Sequence, residues 1–303
     1  MKSNGFSFLA FIAVILVSTC TDSSRHPIRV GYIVVGEELT DEDRAVLEWL
    51  DDHAGFVPRK VRIGEESTGR SETDVYWIHL PDSSSYERWT ISKENLSVFA
   101  SLFQHNVRFL LSGYAALLPY DAGIETQKPE IRRISIRDDW LFDQKGLQSW
   151  RGHPAFTGLF GGAFIWDGFE DHQLPLIGYF GSVFPTEGKV VAVEKSYITI
   201  HGDHRLMTEY DHGNGRMLSV GGFIYFGRKN RLHDRLERFV ENCLSYLIEK
   251  THEEPTTYWK AFDHRPKPFS IQTDAILKTN QEQWSDPPAT ELVFVNEKPG
   301  EDF

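Results

Sequence analysis

The stretch VRFLLSG (107–113), followed at once by YAALLPY (114–120), decides how this chain folds. Five of its first seven positions are apolar or Gly, with no in-out alternation, as in a strand buried on both faces. Gly113 closes the run, and the next residues read as a helical turn. A second run, IRVGYIVVG (28–36), has the same character. It leads into EELTDEDRAVLEWLDDHAG (37–55), where Thr40 with Asp43 makes an approximate capping box. Acidic residues crowd the first turn, Val46, Leu47 and Leu50 form an apolar stripe, and Gly55 closes the predicted helix. KVRIG (60–64) reads as a short strand and DVYWIHL (74–80) as a firmer one. A helix is predicted around 92–105, with Leu96, Phe99, Ala100 and Phe103 on one face. Strands alternating with helices of this length predict a parallel sheet covered on both sides.

The second half has another texture. EIRRISIRDD (130–139) alternates, and LPLIGYFGSVF, KVVAVEKSYITIH, RLMTEYDHG and GRMLSVGGFIYFG are strand-rich and separated by Gly. This predicts a strand-rich antiparallel extension between about 130 and 227. The final helix, within 230–250, carries Leu232, Leu236, Phe239, Val240, Cys243, Leu244 and Leu247 at helical spacing. Residues 251–303 are proline-rich and read as a linker or the start of a further domain.

Charge and cysteine content narrow the function classes. The 303 residues carry 32 basic and 44 acidic side chains, a formal net charge of −12. Nucleic-acid binding needs a basic face, and no Lys/Arg-rich run supplies one. Lys2 followed by the apolar segment Phe6–Val17 reads as a signal peptide spanning 1–20, too short to cross a membrane as a helix. Val17-Ser18-Thr19-Cys20 resembles a bacterial lipobox with Cys20 as the lipidated residue, although Thr19 stands where a smaller residue is usual. The alternative is an ordinary secreted protein cleaved near Cys20. Residues 21–27 form a short tether. These features predict an exported periplasmic or cell-surface lipoprotein of a Gram-negative bacterium, touching the membrane only through its lipid. Cys243 is the second of two cysteines, so a cysteine-based zinc site is excluded.

HGDHRLMTEYDHG (201–213) concentrates three histidines with acids and an arginine. Gly202-Asp203 reads as one turn and HGNG (212–215) as another, at opposite ends of a strand. Five steps of ~3.3 Å separate the groups by roughly 17–20 Å, too far for one metal. A smaller set of His201, Asp203 and His204 could hold a metal with one more ligand; the competing reading is polar residues at solvated turns, and no metal is assigned. Arg205 and Glu209 are expected to face water or a cross-strand partner. GLFGGAF (158–164) lacks the Lys-Ser/Thr of a P-loop. Asp138, Asp139 and Asp143 could serve glycoside hydrolysis only at a particular carboxylate separation; the competing and favoured reading is solvated loop acids. Trp166 and Phe169 in FIWDGFEDH (164–172) are candidates for sugar stacking, or for the core.

Three segments, VRFLLSGYAALLPYDAG (107–123), GHPAFTGL (152–159) and DHGNGRMLSVGG (211–222), resemble class I glutamine amidotransferase-like domains. The likeness is to divergent members attached to sugar-processing proteins, including trehalose-utilisation-type domains and those of some glycosidases and secreted lipoproteins. It spans roughly residues 28–250. The resemblance implies a three-layer α/β fold with a flavodoxin-like parallel sheet. It also implies a nucleophilic cysteine at a strand-to-helix turn, with a His and a Glu late in the domain. The corresponding turn is Ser112-Gly113-Tyr114, without cysteine, and Cys243 belongs to a buried helix face. Glutaminase chemistry is therefore expected to be lost. Ser112 lacks the G-x-S-x-G setting of a nucleophile elbow and is expected to hydrogen-bond the following turn.

Any ligand is expected at the carboxyl ends of the parallel strands, with Gly36, Glu37, His79, Asp82, Ser112, Gly113 and Tyr114 as rim candidates and Trp166 as a further contact. The leading expectation is a non-catalytic accessory domain in extracytoplasmic carbohydrate handling, without cofactor, partnered by carbohydrate or a catalytic domain. The alternatives are a glycoside or ester hydrolase and an oligomerisation or scaffold subunit.

Overall fold

Strand register builds the architecture outward from β1 (Ile28–Ile33), which pairs in parallel with β2 (Phe56–Val61) on one side and β3 (Val75–Leu80) on the other. The computed structural model describes residues 26–62, 72–136, 144–149, 153–159, 162–168, 172–196, 199–213 and 215–249. After β3 come α1's counterparts α2 (Ser83–Ile91) and α3 (Lys93–Gln104), α1 (Asp41–Asp52) having preceded β2, and then β4 (Phe109–Gly113) and the short α4 (Leu118–Asp121). The second half contributes β5 (Glu130–Ile136), β6 (Lys145–Gln148), β7 (Gly162–Trp166), β8 (His172–Tyr179), β9 (Lys189–Ser196), β10 (Thr199–His212), β11 (Gly215–Val220) and α5 (His233–Ile248).

Nine strands form one sheet in the order β2-β1-β3-β4-β11-β10-β9-β6-β7. The first five run parallel and the pairings from β11 to β7 are antiparallel. The order β2-β1-β3-β4 is the flavodoxin-like one, with its switch point between β1 and β3. The antiparallel extension is thus continuous with the parallel sheet. Among the described residues, β5 and β8 alone make a separate two-stranded ribbon. GRMLSV, which reads as part of the extension, is instead a parallel core strand seated beside β4.

Side chains alternate between two buried clusters along the parallel strands. Val30, Tyr32, Val75, Trp77, Leu110, Leu218 and Val220 join the residues of α1 and α5. Ile33, Tyr76, Ile78, Leu80, Phe109, Leu111 and Met217 join those of α2 and α3. Period-two alternation therefore feeds apolar groups to both faces, which is why these strands read as continuous apolar runs.

Local signals hold well at helix starts. Thr40 Oγ1 accepts from the Asp43 amide at 3.1 Å, and the Asp43 carboxylate accepts from the Thr40 amide at 2.8 Å. The helix ends at His53 rather than Gly55. β2 lies earlier than KVRIG, with Pro58 tolerated because β2 is an edge strand. The Gly202-Asp203 turn does not exist: β10 runs through it, and Thr199 already pairs antiparallel with Ser196. His201 pairs with Glu194 and Arg205 with Val193, so residues 202–204 form a bulge, which accommodates glycine and short polar residues as a turn does.

Cys243 lies on the buried stripe of α5, and burial pushes its thiol up. A bulky disulfide reagent is expected to leave Cys243 unmodified in folded protein and to titrate it after denaturation. Rapid native labelling would contradict that packing. No described helix is long and apolar enough to cross a membrane.

Candidate functional site at the carboxyl ends of the parallel strands

His79 and Ser112 are neighbours in register on β3 and β4, and their side chains meet on the α1 side of the sheet. The Trp77 indole donates to Ser112 Oγ at 2.9 Å. Ser112 Oγ lies 2.7 Å from His79 Nδ1, and His79 Nε2 lies 3.0 Å from Glu42 Oε1. An indole N–H only donates and a carboxylate only accepts. The two ends of the chain are therefore fixed: Trp77 donates to Ser112 Oγ and Nε2–H donates to Glu42, with Ser112 and Nδ1 sharing the hydrogen bond between them. The backbone amides of Phe226 and Gly227 donate to the same carboxylate at 2.6 and 2.8 Å. Burial alone would raise the Glu42 carboxyl; the bonds from His79 and the two amides outweigh it and hold the group below its ordinary range.

The order Ser112–His79–Glu42 has the residue types of a hydrolytic relay, but its setting is closed. Ser112 is fully buried and His79 nearly so. The hydroxyl is committed to Trp77 and His79, and the imidazole presents Nδ1 to it, the nitrogen that faces the acid in serine hydrolases. Ser112 does not bond the following turn as expected, because its side chain points sideways to β3. The turn Tyr114–Leu117 has no side-chain cap.

The bend itself is Gly113, at φ 65° and ψ −134°. This is where a nucleophile elbow would place its reactive side chain. A Cβ built there would overlap the Leu80 carbonyl oxygen, far inside the 3.0 Å that real Cβ contacts essentially never breach. Over this rim folds the segment Gly221–Gly227 after β11. Phe223, Ile224, Tyr225 and Phe226 are all buried, and Phe226 packs on Trp49 and Trp77 with centroids 5.0 and 5.9 Å apart.

The other expected residues scatter. Gly36 and Glu37 line a cavity of about 270 Å³ with Val34, Val35, Arg62, Trp89 and Asn95. Asp82 caps α2, accepting from the Ser85 amide at 2.7 Å. Tyr114 is buried beside Tyr86. Trp166 cannot stack on a sugar: it has no exposed surface and its ring stands edge-on to Tyr225 at 5.5 Å. Asp138, Asp139, Asp143, Phe169 and Cys20 lie outside the described residues. Glu42 and Trp77 were missed. Glu42 reads as one more first-turn acid, and only the facing of α1 turns it inward.

Two motif segments converge elsewhere, in the interior. Of the two readings for Glu209, water or a cross-strand partner, the second holds: it is buried, facing α5 from β10, beside Arg216 of the neighbouring strand β11. Its Oε1 accepts from the Tyr246 hydroxyl at 2.6 Å and lies 3.1 Å from Arg216 Nε. His153 Nε2 stands 3.9 Å from Oε2. His153 belongs to GHPAFTGL and Arg216 to DHGNGRMLSVGG, so these segments meet in a structural centre rather than at the rim. Burial, then the Glu209 charge, push the Tyr246 hydroxyl upward. Arg205 is also buried and donates to the Gly181 carbonyl at 2.9 Å.

No family model matches this chain, and no curated protein does. Among solved structures it is similar to PurLQS from Thermotoga maritima, at 15% identity over 73% of this chain and 99% of that one, TM-score 0.48. It is similar to a protein described as thua-like from Bacteroides uniformis, at 8% identity over 76% and 96% of the two chains, TM-score 0.48. A glutamine amidotransferase from Thermotoga maritima aligns at 11% identity over 79% and 91%, TM-score 0.40. At these identities and scores the likenesses say nothing of activity, and the fold rests on the strand order and registers above.

Proposed function

We propose that this chain is an amidotransferase-like domain without glutaminase activity, acting as an accessory or weak glycan-binding module in extracytoplasmic carbohydrate handling and tethered through a lipid on Cys20. The observation that carries the non-catalytic part is the Gly113 bend. It lacks a side chain and leaves no room for one against Leu80. The neighbouring hydroxyl, Ser112, is spent on buried partners, and Cys243 is enclosed in α5. Carbohydrate handling is supported by the motif resemblance, and the tether by the apolar segment that ends at Cys20.

Purified protein incubated with glutamine is expected to release no ammonia above the buffer blank; sustained release would overturn the reading. In a polysaccharide affinity-gel screen, the expected result is retardation by at least one polymer, reduced several-fold in Glu37→Ala at the rim cavity. Absence of retardation by every polymer would remove the glycan-binding part.

A further inference from the structure

The hairpin cluster that reads as solvated turns has a different organisation. β10 is antiparallel to β11; Met207 stands opposite Val220, and Val220 beside Ser112. Residues 199–205 therefore project past the carboxyl ends of the parallel strands. In a regular strand His201 and His204 would point to opposite faces. The bulge at 202–204 turns them to one side, and their rings stack at 5.0 Å with 18° between planes. One ligand atom from each of His201, Asp203 and His204 lies within 4.8 Å of the other two.

A buried carboxylate stands behind this trio. Glu194 Oε2 lies 2.6 Å from His204 Nδ1, and Glu194 is 2% exposed. Metal-bound imidazoles are commonly held this way, with one nitrogen donating to a carboxylate and the other presenting its lone pair. His204 Nε2 lies 3.7 Å from Asp203 Oδ2. We propose that His201, Asp203 and His204 form a zinc-binding site, with Glu194 as the positioning residue for His204. Two imidazoles and one carboxylate suit zinc, whereas magnesium and calcium call for oxygen ligands.

Arg132 is the built-in competitor. Its Nη1 lies 2.8 Å from His204 Nε2 and its Nη2 2.9 Å from Glu194 Oε2. The guanidinium thus occupies the lone pair a metal would take and balances the Glu194 charge. Zinc binding requires Arg132 to swing aside. It also draws the ligand atoms in toward the separation of about 3.4 Å set by ~2.0–2.1 Å bonds in a tetrahedron. Asp203 is exposed and His201 only half-buried, so both have that freedom. The site shares no residue with the Gly113 bend, so it stands or falls apart from the function proposed above.

The test is calorimetric titration of the untagged, metal-stripped full chain with zinc chloride at pH 7.5, with magnesium chloride as the control. One equivalent of zinc and no magnesium is expected. His201→Ala and Asp203→Asn, both at accessible positions, are expected to weaken zinc at least tenfold with unchanged circular dichroism. Glu194→Gln is expected to weaken it about 10–100-fold. Arg132→Met is expected to tighten it at least tenfold by removing the competitor. The proposal is overturned if wild-type protein binds no zinc, even where Arg132→Met does, or if His201→Ala and Asp203→Asn bind it as tightly as wild type.

Discussion

Replacing Glu42 by alanine is expected to lower the folding free energy by about 3–5 kcal/mol, the largest loss from any single polar side chain at the rim. The carboxylate accepts from His79 Nε2 and from the amides of Phe226 and Gly227. Each buried donor left unpaired costs roughly 1–3 kcal/mol. In a domain of this size that corresponds to roughly 2–4 °C in melting temperature for each kcal/mol. The two amides belong to the segment that covers the rim, so the variant is also expected to expose Gly221–Gly227 to limited proteolysis. Glu42→Gln, which keeps an acceptor oxygen, should lose less. The effect depends on pH in a definite sense. The Glu42 carboxyl sits below its ordinary value when folded. Its ionised form therefore contributes full stability above the unfolded value of about 4.3, and that contribution fades as the pH falls through the folded one. Urea unfolding at pH 7 and pH 3.5 checks this. An equal gap between wild type and Glu42→Ala at both pH values would show that the charge is not what matters. A gap below 1 kcal/mol at pH 7 would show that the amides find other partners.

Gly113→Ala is expected to cost about 3–5 kcal/mol for a different reason. The backbone at φ 65° and ψ −134° disfavours any Cβ, a strain of ~1–3 kcal/mol. The new methyl also meets the Leu80 carbonyl, which is backbone in a paired strand and has nowhere to move. Overpacking of this kind adds roughly 1–3 kcal/mol. The consequence reaches function. Gly113→Cys would place a thiol at the bend, yet it is expected to be as destabilised as Gly113→Ala and to release no ammonia from glutamine. A Gly113→Ala protein within 1 kcal/mol of wild type would mean that β3 yields and that the bend is open enough to host chemistry.

How much of this was legible beforehand depends on the range of the interaction concerned. Apolar runs at 28–36, 74–80 and 107–113, the Thr40 capping box and the stripe of α5 report contacts made within a few residues or against a general apolar interior. They were readable because period and capping are local. The Gly202-Asp203 dipeptide misled for the same reason: a bulge and a turn ask for the same residue types, and only pairing with β9 tells them apart. The hairpin pairing of GRMLSV with β10 is local and legible, whereas its parallel pairing with β4 is not, because it joins residues about a hundred positions apart.

What could be read from the residues in order was a buried parallel sheet, its helices and the lack of a cysteine at Ser112-Gly113-Tyr114. Tertiary structure alone decided that Glu42 faces His79 and not water, that Glu209 and Trp166 are interior, that Leu80 closes the space beside Gly113, and that His201 and His204 share one side of β10. Each of those outcomes is fixed by which strand lies next to which and in what register. A one-residue slip would reverse every side chain concerned. Composition carries no record of register, because the partners are brought together only when distant segments align.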